Sequence, residues 1–274
     1  MGQTRMAAEG LRIQTARQNG VLTWRVMDLF LYDIFWSHFC EKARFCLDFK
    51  RLPHNIVRVN PLTRREVTGL GARGDVPVIK DGDRVVEGSA AIAAYLEKEY
   101  PDPPLLPRDG AARAEALAIE KKSDDWLGPD ARRVGYQAAL ENPALLEGTL
   151  LWPRAPKRWL NGLMLRFIEP RLRRKFKIFP QELQESRDRL RAFLPELQDR
   201  IAAKGFLVGS ALTIADIAVV SLMDPLEIVP EFVRDPTYGR LLAWKRGLAR
   251  AYRRRQRTPW LAGDPPPGYP GLQD

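Results

Sequence analysis

The seven residues Pro101-Asp102-Pro103-Pro104-Leu105-Leu106-Pro107 can neither continue a helix nor sit inside a sheet, and they divide the chain into two stretches of different periodicity. Before them, short strand-like runs alternate with helical ones. From Val26 to Leu31 the residues are apolar apart from Asp28, a run suited to a mostly buried strand that gives way at Tyr32 and Asp33. Phe39, Ala43, Cys46 and Leu47 then recur at helical spacing, with Lys42, Arg44, Lys50 and Arg51 at the polar positions around them, and this helix ends near Pro53. Ile56, Val57 and Val59 predict a second strand. Val76 to Ile79 predict a third, joined through Lys80-Asp81-Gly82-Asp83 to Val85 and Val86 as a hairpin. Ser89 opens a helix with Ala91, Ile92, Tyr95 and Leu96 on one face, and Pro101 stops it. The order is strand, helix, strand, strand, strand, helix.

Beyond the linker strand-like alternation disappears. Leu183, Leu190, Phe193, Leu194, Leu197 and Ile201 keep a helical stripe from Gln181 to Ala203, with Pro195 as a kink. Thr213-Ile214-Ala215-Asp216 has the spacing of a capping box and precedes Ile217, Ala218, Val219 and Val220, a run suited to a buried central helix. The chain is therefore read as an extension over 1–27, an α/β domain over 28–102, a linker over 103–107 and an all-helical domain over 108–274. Its 274 residues, 45% hydrophobic and 28% charged, suffice for two such domains without disulfide or metal staples.

Composition also excludes some classes of function. The densest apolar run, Ile217 to Met223, is far shorter than the roughly 18 residues that a membrane-spanning helix needs. The only cysteines, Cys40 and Cys46, would stand about 120° apart on one helix, so they cannot pair locally. With no secretion signal, a reducing cytoplasm is the expected compartment. The Arg-rich first 27 residues, with Glu9 as their one acid, read as a floppy extension or a mis-set start rather than a transit peptide. A net charge of +10 and a pI near 9.8 would suit a phosphate backbone, but no nucleic-acid motif accompanies the basic segments Arg154 to Lys177 and Arg246 to Arg257. They read as solvated helix faces, with a membrane surface as the other possible contact. Two histidines, His38 and His54, and two cysteines give no metal-ligand spacing, and no Walker or dinucleotide glycine motif occurs.

The first strand leads through Trp36-Ser37-His38-Phe39-Cys40 into a helix, which puts Ser37 at a helix N-terminus, where unpaired amides and the positive dipole end favour an anion such as a thiolate. On local sequence alone Ser37 would be only an N-cap. Four segments taken together go further. Ser37-His38-Phe39-Cys40-Glu41-Lys42-Ala43-Arg44, Val76-Pro77-Val78-Ile79, Ser89-Ala90-Ala91-Ile92-Ala93-Ala94-Tyr95-Leu96 and the capping box resemble the glutathione transferase superfamily in order and spacing. The resemblance implies a thioredoxin-like βαβ-ββα domain followed by a helical bundle domain, with glutathione as co-substrate, no metal, and a homodimer.

It also assigns roles. Ser37 matches the position that serves the glutathione thiol, with Tyr32, near the end of the first strand, as its competitor. Pro77 matches the proline that follows a cis peptide, so that Val76 would pair with the peptide-like part of glutathione. Ser89 suits the γ-glutamyl carboxylate, although the acid that many relatives carry immediately before it is here Gly88, with Glu87 one position earlier. Arg64, Arg65 and above all Arg73 are candidates for the glycyl carboxylate. Trp126, Arg132 and Tyr136 are candidates for the pocket of a small apolar electrophile between the domains. Cys40 is read as a buried small apolar residue. The implied activity is conjugation of glutathione in a cytoplasmic, detoxifying enzyme. The alternatives are a thiol transferase or reductase working through Cys40, and a non-catalytic scaffold at a membrane surface.

Overall fold

In a computed structural model, residues 13–18, 21–26, 29–142, 167 and 169–253 are described, the first two segments as backbone only. Two strands, β1 (Ile13–Gln18) and β2 (Val21–Val26), pair antiparallel. Residues 13–18 and 21–26, read as part of a floppy extension, are thus paired strands, and the rest of 1–27 lies outside the described residues. The register sets Gln18 opposite Val21 and Ile13 opposite Val26.

A four-stranded sheet follows, in the order β4-β3-β5-β6, built from β3 (Leu29–Asp33), β4 (Asn55–Arg58), β5 (Val78–Asp81) and β6 (Arg84–Glu87). β3 runs parallel to β4 and antiparallel to β5, and β5 and β6 form the expected hairpin. The first of these strands lies later than its apolar run suggested, because Tyr32 and Asp33 continue it. Asp33 is tolerated there, fully buried, because Arg44 and Arg58 both pair with its carboxylate. Helix α1 (His38–Phe49) crosses from β3 to β4, a short α2 (Arg65–Thr68) that the sequence pattern did not reveal lies between β4 and β5, and α3 (Ser89–Glu99) closes the unit.

The second domain opens with α4 (Gly110–Lys122), a π-helical turn (Ser123–Leu127) and α5 (Gly128–Glu141), which run on as one broken helix. A helix over 169–176 and the 25-residue Pro180–Lys204 helix follow, the latter with Pro195 inside it. Most of the basic segment 154–177 expected to form a solvated helix face, and the tail of the segment 246–257, fall outside the described residues. The buried helix Ile214–Leu222 opens with the expected capping box, Thr213 and Asp216 bonding each other's backbone, and Gly239–Tyr252 is the last described helix. Among the described residues no helix is long and apolar enough to cross a membrane.

The two domains share one core. α1 packs on the Ile214–Leu222 helix, and ten of its twelve residues are buried. The reading of Lys42, Arg44 and Lys50 as outward polar positions is thereby corrected. Lys42 pairs with Glu120 at 2.8 Å and Asp124 at 2.6 Å, and Lys50 meets Glu97 and the carbonyls of Tyr100 and Pro103. Arg44 bonds Glu41, Asp33 and the Phe35 carbonyl. Each cation is satisfied by a neighbour that one-helix periodicity cannot show.

Close backbone approach sets the position of α5. A Cβ on Gly135 would stand 2.6 Å from the Pro225 carbonyl oxygen, and one on Gly128 would stand 2.8 Å from the Phe39 ring. The first obstacle is backbone and cannot swing aside, so Gly135→Ala should destabilise the fold by about 1–3 kcal/mol, the usual cost of overpacking. Thermal unfolding should show this as a fall of several degrees. An unchanged midpoint would mean that α5 does not lie against residues 224–228 at this spacing.

Candidate functional site

The N-terminus of α1 is where β3, the cis-proline segment and α5 converge. Ser37 caps the helix, its Oγ accepting a long 3.4 Å bond from the Cys40 amide. A serine hydroxyl has one donor and two acceptor positions, so the cap uses an acceptor only; the O–H also lies within reach of the Cys40 sulfur and would have to turn from it to serve a ligand. The turn that presents it is held from below, because Arg44 Nη2 donates to the Phe35 carbonyl at 2.9 Å while the same guanidinium bonds Asp33. The sequence reading did not single out this Asp33–Arg44–Phe35 clamp. An acid at the end of a strand, eleven residues before an arginine on the next helix, was its only signal.

Alternation along β3 separates the two candidates for the thiol. Leu29, Leu31 and Asp33 point to the α1 side, while Tyr32 points to the other face. There Tyr32 packs against the cluster of Ile34, Val59, Val67 and Val78, together with Trp36 and Val76. Ser37 stands at the helix end on the α1 side.

Val76–Pro77 is cis. Beside it, Gly88 donates its amide to the Pro77 carbonyl and adopts φ +94°, a conformation that no other residue takes readily. Glu87 does not face this surface as a ligand group would. Its carboxylate accepts from the amides of Arg73 and Asp75, both at 3.2 Å, and so fixes the loop that leads to Val76. Ser89 is the buried first residue of α3, whose first-turn amides receive no side-chain cap, leaving the dipole end open to an anion. Arg64 braces the same loop through the Gly74 carbonyl at 2.7 Å, and the Arg73 side chain is 91% exposed apart from a 3.4 Å contact with Glu87.

Across the interface, α5 brings Arg132 and Tyr136 to the Ser37 turn. The Arg132 guanidinium lies 4.5 Å from the Phe176 ring centre and 5.8 Å from that of Phe39. Tyr136 packs edge-on against Phe176 and takes a hydrogen bond from Trp36, and burial pushes its phenol above the usual range. His38, beside Ser37, sets its Nε2 3.1 Å from the Gly128 carbonyl, to which it donates. Burial, and then the charge of Arg132, lower its pKa to about 3 against the opposing pull of that bond, so it is neutral at physiological pH. Trp126 does not join this group. It stands 53% exposed with Arg189 over its ring, lining a cavity of about 130 Å³ with Lys122, Phe193 and Glu196.

The Cys40 thiol is fully buried, and that burial, reinforced by Asp33, pushes its pKa to about 11, which makes it a poor nucleophile. Among the described residues no group of three or more His, Cys, Asp or Glu side chains is gathered as metal ligands would be.

Residues 31–104 match the family Glutathione S-transferase, N-terminal domain, and residues 180–274 match Glutathione S-transferase, C-terminal domain. The chain is 38% identical over 96 residues to glutathione S-transferase Z1 of Arabidopsis thaliana, a stretch covering 32% of this chain and 43% of that protein. It is 27% identical over 186 residues to glutathione S-transferase theta-1 of Gallus gallus, covering 64% of this chain and 57% of the relative. The similarity thus spans less than two thirds of each of these relatives' length. Among solved structures, the fold is similar to that of the beta-etherase LigF from Sphingobium sp. strain SYK-6, with a TM-score of 0.63 at 22% identity, over 81% of this chain and 95% of that one.

Proposed function

Since the chain belongs to the glutathione transferase superfamily, with a thioredoxin-like domain before a helical one, we propose that it ionises glutathione at Ser37 and directs the thiolate onto an electrophile held between the domains. The observation that carries this reading is the Ser37 hydroxyl. It sits at the start of a twelve-residue helix and caps it through a long acceptor bond only, and Trp36 beside it hydrogen-bonds Tyr136 of the other domain. Family membership supports glutathione as the co-substrate.

The residues fit that molecule. The uncapped first turn at Ser89 would take the γ-glutamyl carboxylate, the Val76 backbone before the cis proline would pair with the peptide part, and Arg73 or Arg64 would meet the glycyl end. Ionisation sends the thiol proton to solvent. The thiolate then forms a bond to the electrophilic carbon, whose leaving group departs with the bonding pair. Holding both partners in one cleft supplies much of the acceleration. Thiol transfer through Cys40 is the weaker reading, since that thiol is sealed in the core and holds its proton.

Titration calorimetry at fixed salt tests the site. Glutathione should bind saturably, and Ser89→Ala should weaken binding by about tenfold, the value of one hydrogen bond to a charged group. Absence of binding up to millimolar glutathione would remove the reading and bring forward a scaffold role, which salt-sensitive liposome binding would then support.

A further inference from the structure

Among the described residues the buried cations are paired, whereas the half-buried Arg132 is not. Lys42, Arg44, Lys50 and Lys245 each have a carboxylate oxygen within 3.1 Å. Arg132 has none among the described residues, and its Nε is closed off from solvent with no hydrogen-bond partner. Two acids lie near, and the charge of Asp75 acts on Arg132 without an ion pair being formed. Asp130 accepts from Arg133, Ser186 and Arg189, and Asp75, whose side chain is exposed, lies 3.8 Å from Arg64. Burial pushes the Arg132 pKa down, and neighbouring Arg133 adds to this, yet a guanidinium stays charged under all ordinary conditions. An unpaired charge in such a place costs stability unless a ligand completes it.

Its position says which ligand. Arg132 lies over Phe39, two residues beyond Ser37, and its charge is felt by His38, so it borders the place where the thiolate would react. The surrounding surface is aromatic, with Phe39, Phe176 and Tyr136, and would accept a flat apolar body. A guanidinium set in aromatic walls pairs with a planar, two-oxygen anion through parallel hydrogen bonds.

We propose that Arg132 is a specificity-determining residue that selects electrophiles carrying a carboxylate on an aromatic body, rather than wholly apolar ones. The proposal rests on the glutathione reading above. It assigns the carboxylate to the electrophile and not to glutathione, whose own carboxylates have other candidates at Ser89 and in the Arg64 to Arg73 loop.

Calorimetry on the full chain with three ligands separates these possibilities: glutathione, S-(4-carboxybenzyl)glutathione and its methyl ester. The wild type should bind the carboxylate conjugate about tenfold more tightly than the ester. Arg132→Gln should bring that ratio to about one and leave glutathione affinity unchanged, while Arg132→Lys, which keeps the charge but not the fork, should retain part of it. Equal binding of the two conjugates by the wild type overturns the proposal while leaving the glutathione site intact. So does a preference that survives Arg132→Gln, or a matching loss of glutathione affinity in that variant, which would give the arginine to glutathione itself. If none of the three ligands binds, the glutathione reading falls and takes this one with it. The wild-type ratio needs no variant, so the proposal can be overturned even should Arg132→Gln fail to fold.

Discussion

Replacing Lys42 by alanine should cost about 3–5 kcal/mol of stability, because it leaves two carboxylates facing each other in the core without their cation. Lys42 is fully buried on α1 and reaches across the domain boundary to Glu120 on α4 and Asp124 in the π-helical turn. Against a typical total of about 5–15 kcal/mol, that loss would bring unfolding within reach of growth temperature. Burial already raises the pKa of both Glu120 and Asp124, and Lys42 is the principal charge opposing the rise. Without it both should rise further.

The sign of the pH dependence follows. A carboxyl whose folded pKa lies above its unfolded value favours the native state fully below the unfolded pKa, and that contribution is lost as pH rises through the folded one. The deficit of Lys42→Ala should therefore be smallest near pH 4 and grow toward neutrality. Urea unfolding of both proteins across that range measures it. A deficit that is flat with pH, or below about 1 kcal/mol, would mean that the ammonium is not sealed between these acids. Lys42→Met combined with Glu120→Gln and Asp124→Asn should recover most of the loss, since a neutral replacement of a whole buried ion cluster is often tolerated.

The same lysine marks where sequence reading stops. Strands, hairpin and capping box were legible because their signals are local: Lys80-Asp81-Gly82-Asp83 turns β5 into β6, and Thr213 and Asp216 bond each other's backbone three residues apart. Helix α1 defeats such reasoning. Its cations look like a solvated face until α4, α3 and the linker supply their partners, up to 82 residues away in sequence. The β1–β2 pairing lay in a segment whose Arg-rich composition gave no strand reading. At the site, Ser37 and Pro77 stood out from their neighbours in sequence, and the fold sets them at one helix start and one cis peptide. Glu87 shows the opposite case, since position alone pointed it at a ligand and geometry gives its carboxylate to the amides of Arg73 and Asp75. Arg132 could be named from sequence as a pocket residue, but its lack of a partner depends on where Asp130 and Asp75 spend their charge.

Ser37→Ala should lower kcat/KM for glutathione and a neutral electrophile by about 10- to 150-fold at pH 6.5, the span expected for one hydrogen bond to an ionised group. A free thiol titrates near about 8.5, and holding half of it as thiolate at pH 6.5 takes about 2.7 kcal/mol of preferential stabilisation. The α1 dipole supplies part and the Ser37 O–H the rest. The pH profile separates this from simple damage to the helix start. Loss of the cap acts at every pH and costs about 1 kcal/mol of stability, and the 3.4 Å cap bond puts the effect at the low end. Loss of the thiolate bond moves the ascending limb of kcat/KM toward higher pH, so the deficit should shrink by pH 9.5, where thiolate forms without help. Ser37→Thr keeps the hydroxyl and should restore most of the activity, whereas Ser37→Asp keeps a cap acceptor but sets a negative charge beside the sulfur and should not. An unshifted profile in Ser37→Ala would move the role elsewhere, and Tyr32→Phe would then be the variant to make. For that outcome the Tyr32 phenol would have to leave the apolar cluster of Ile34, Val59, Val67 and Val78 and cross to the α1 side of the sheet, which is why the larger effect is expected at Ser37.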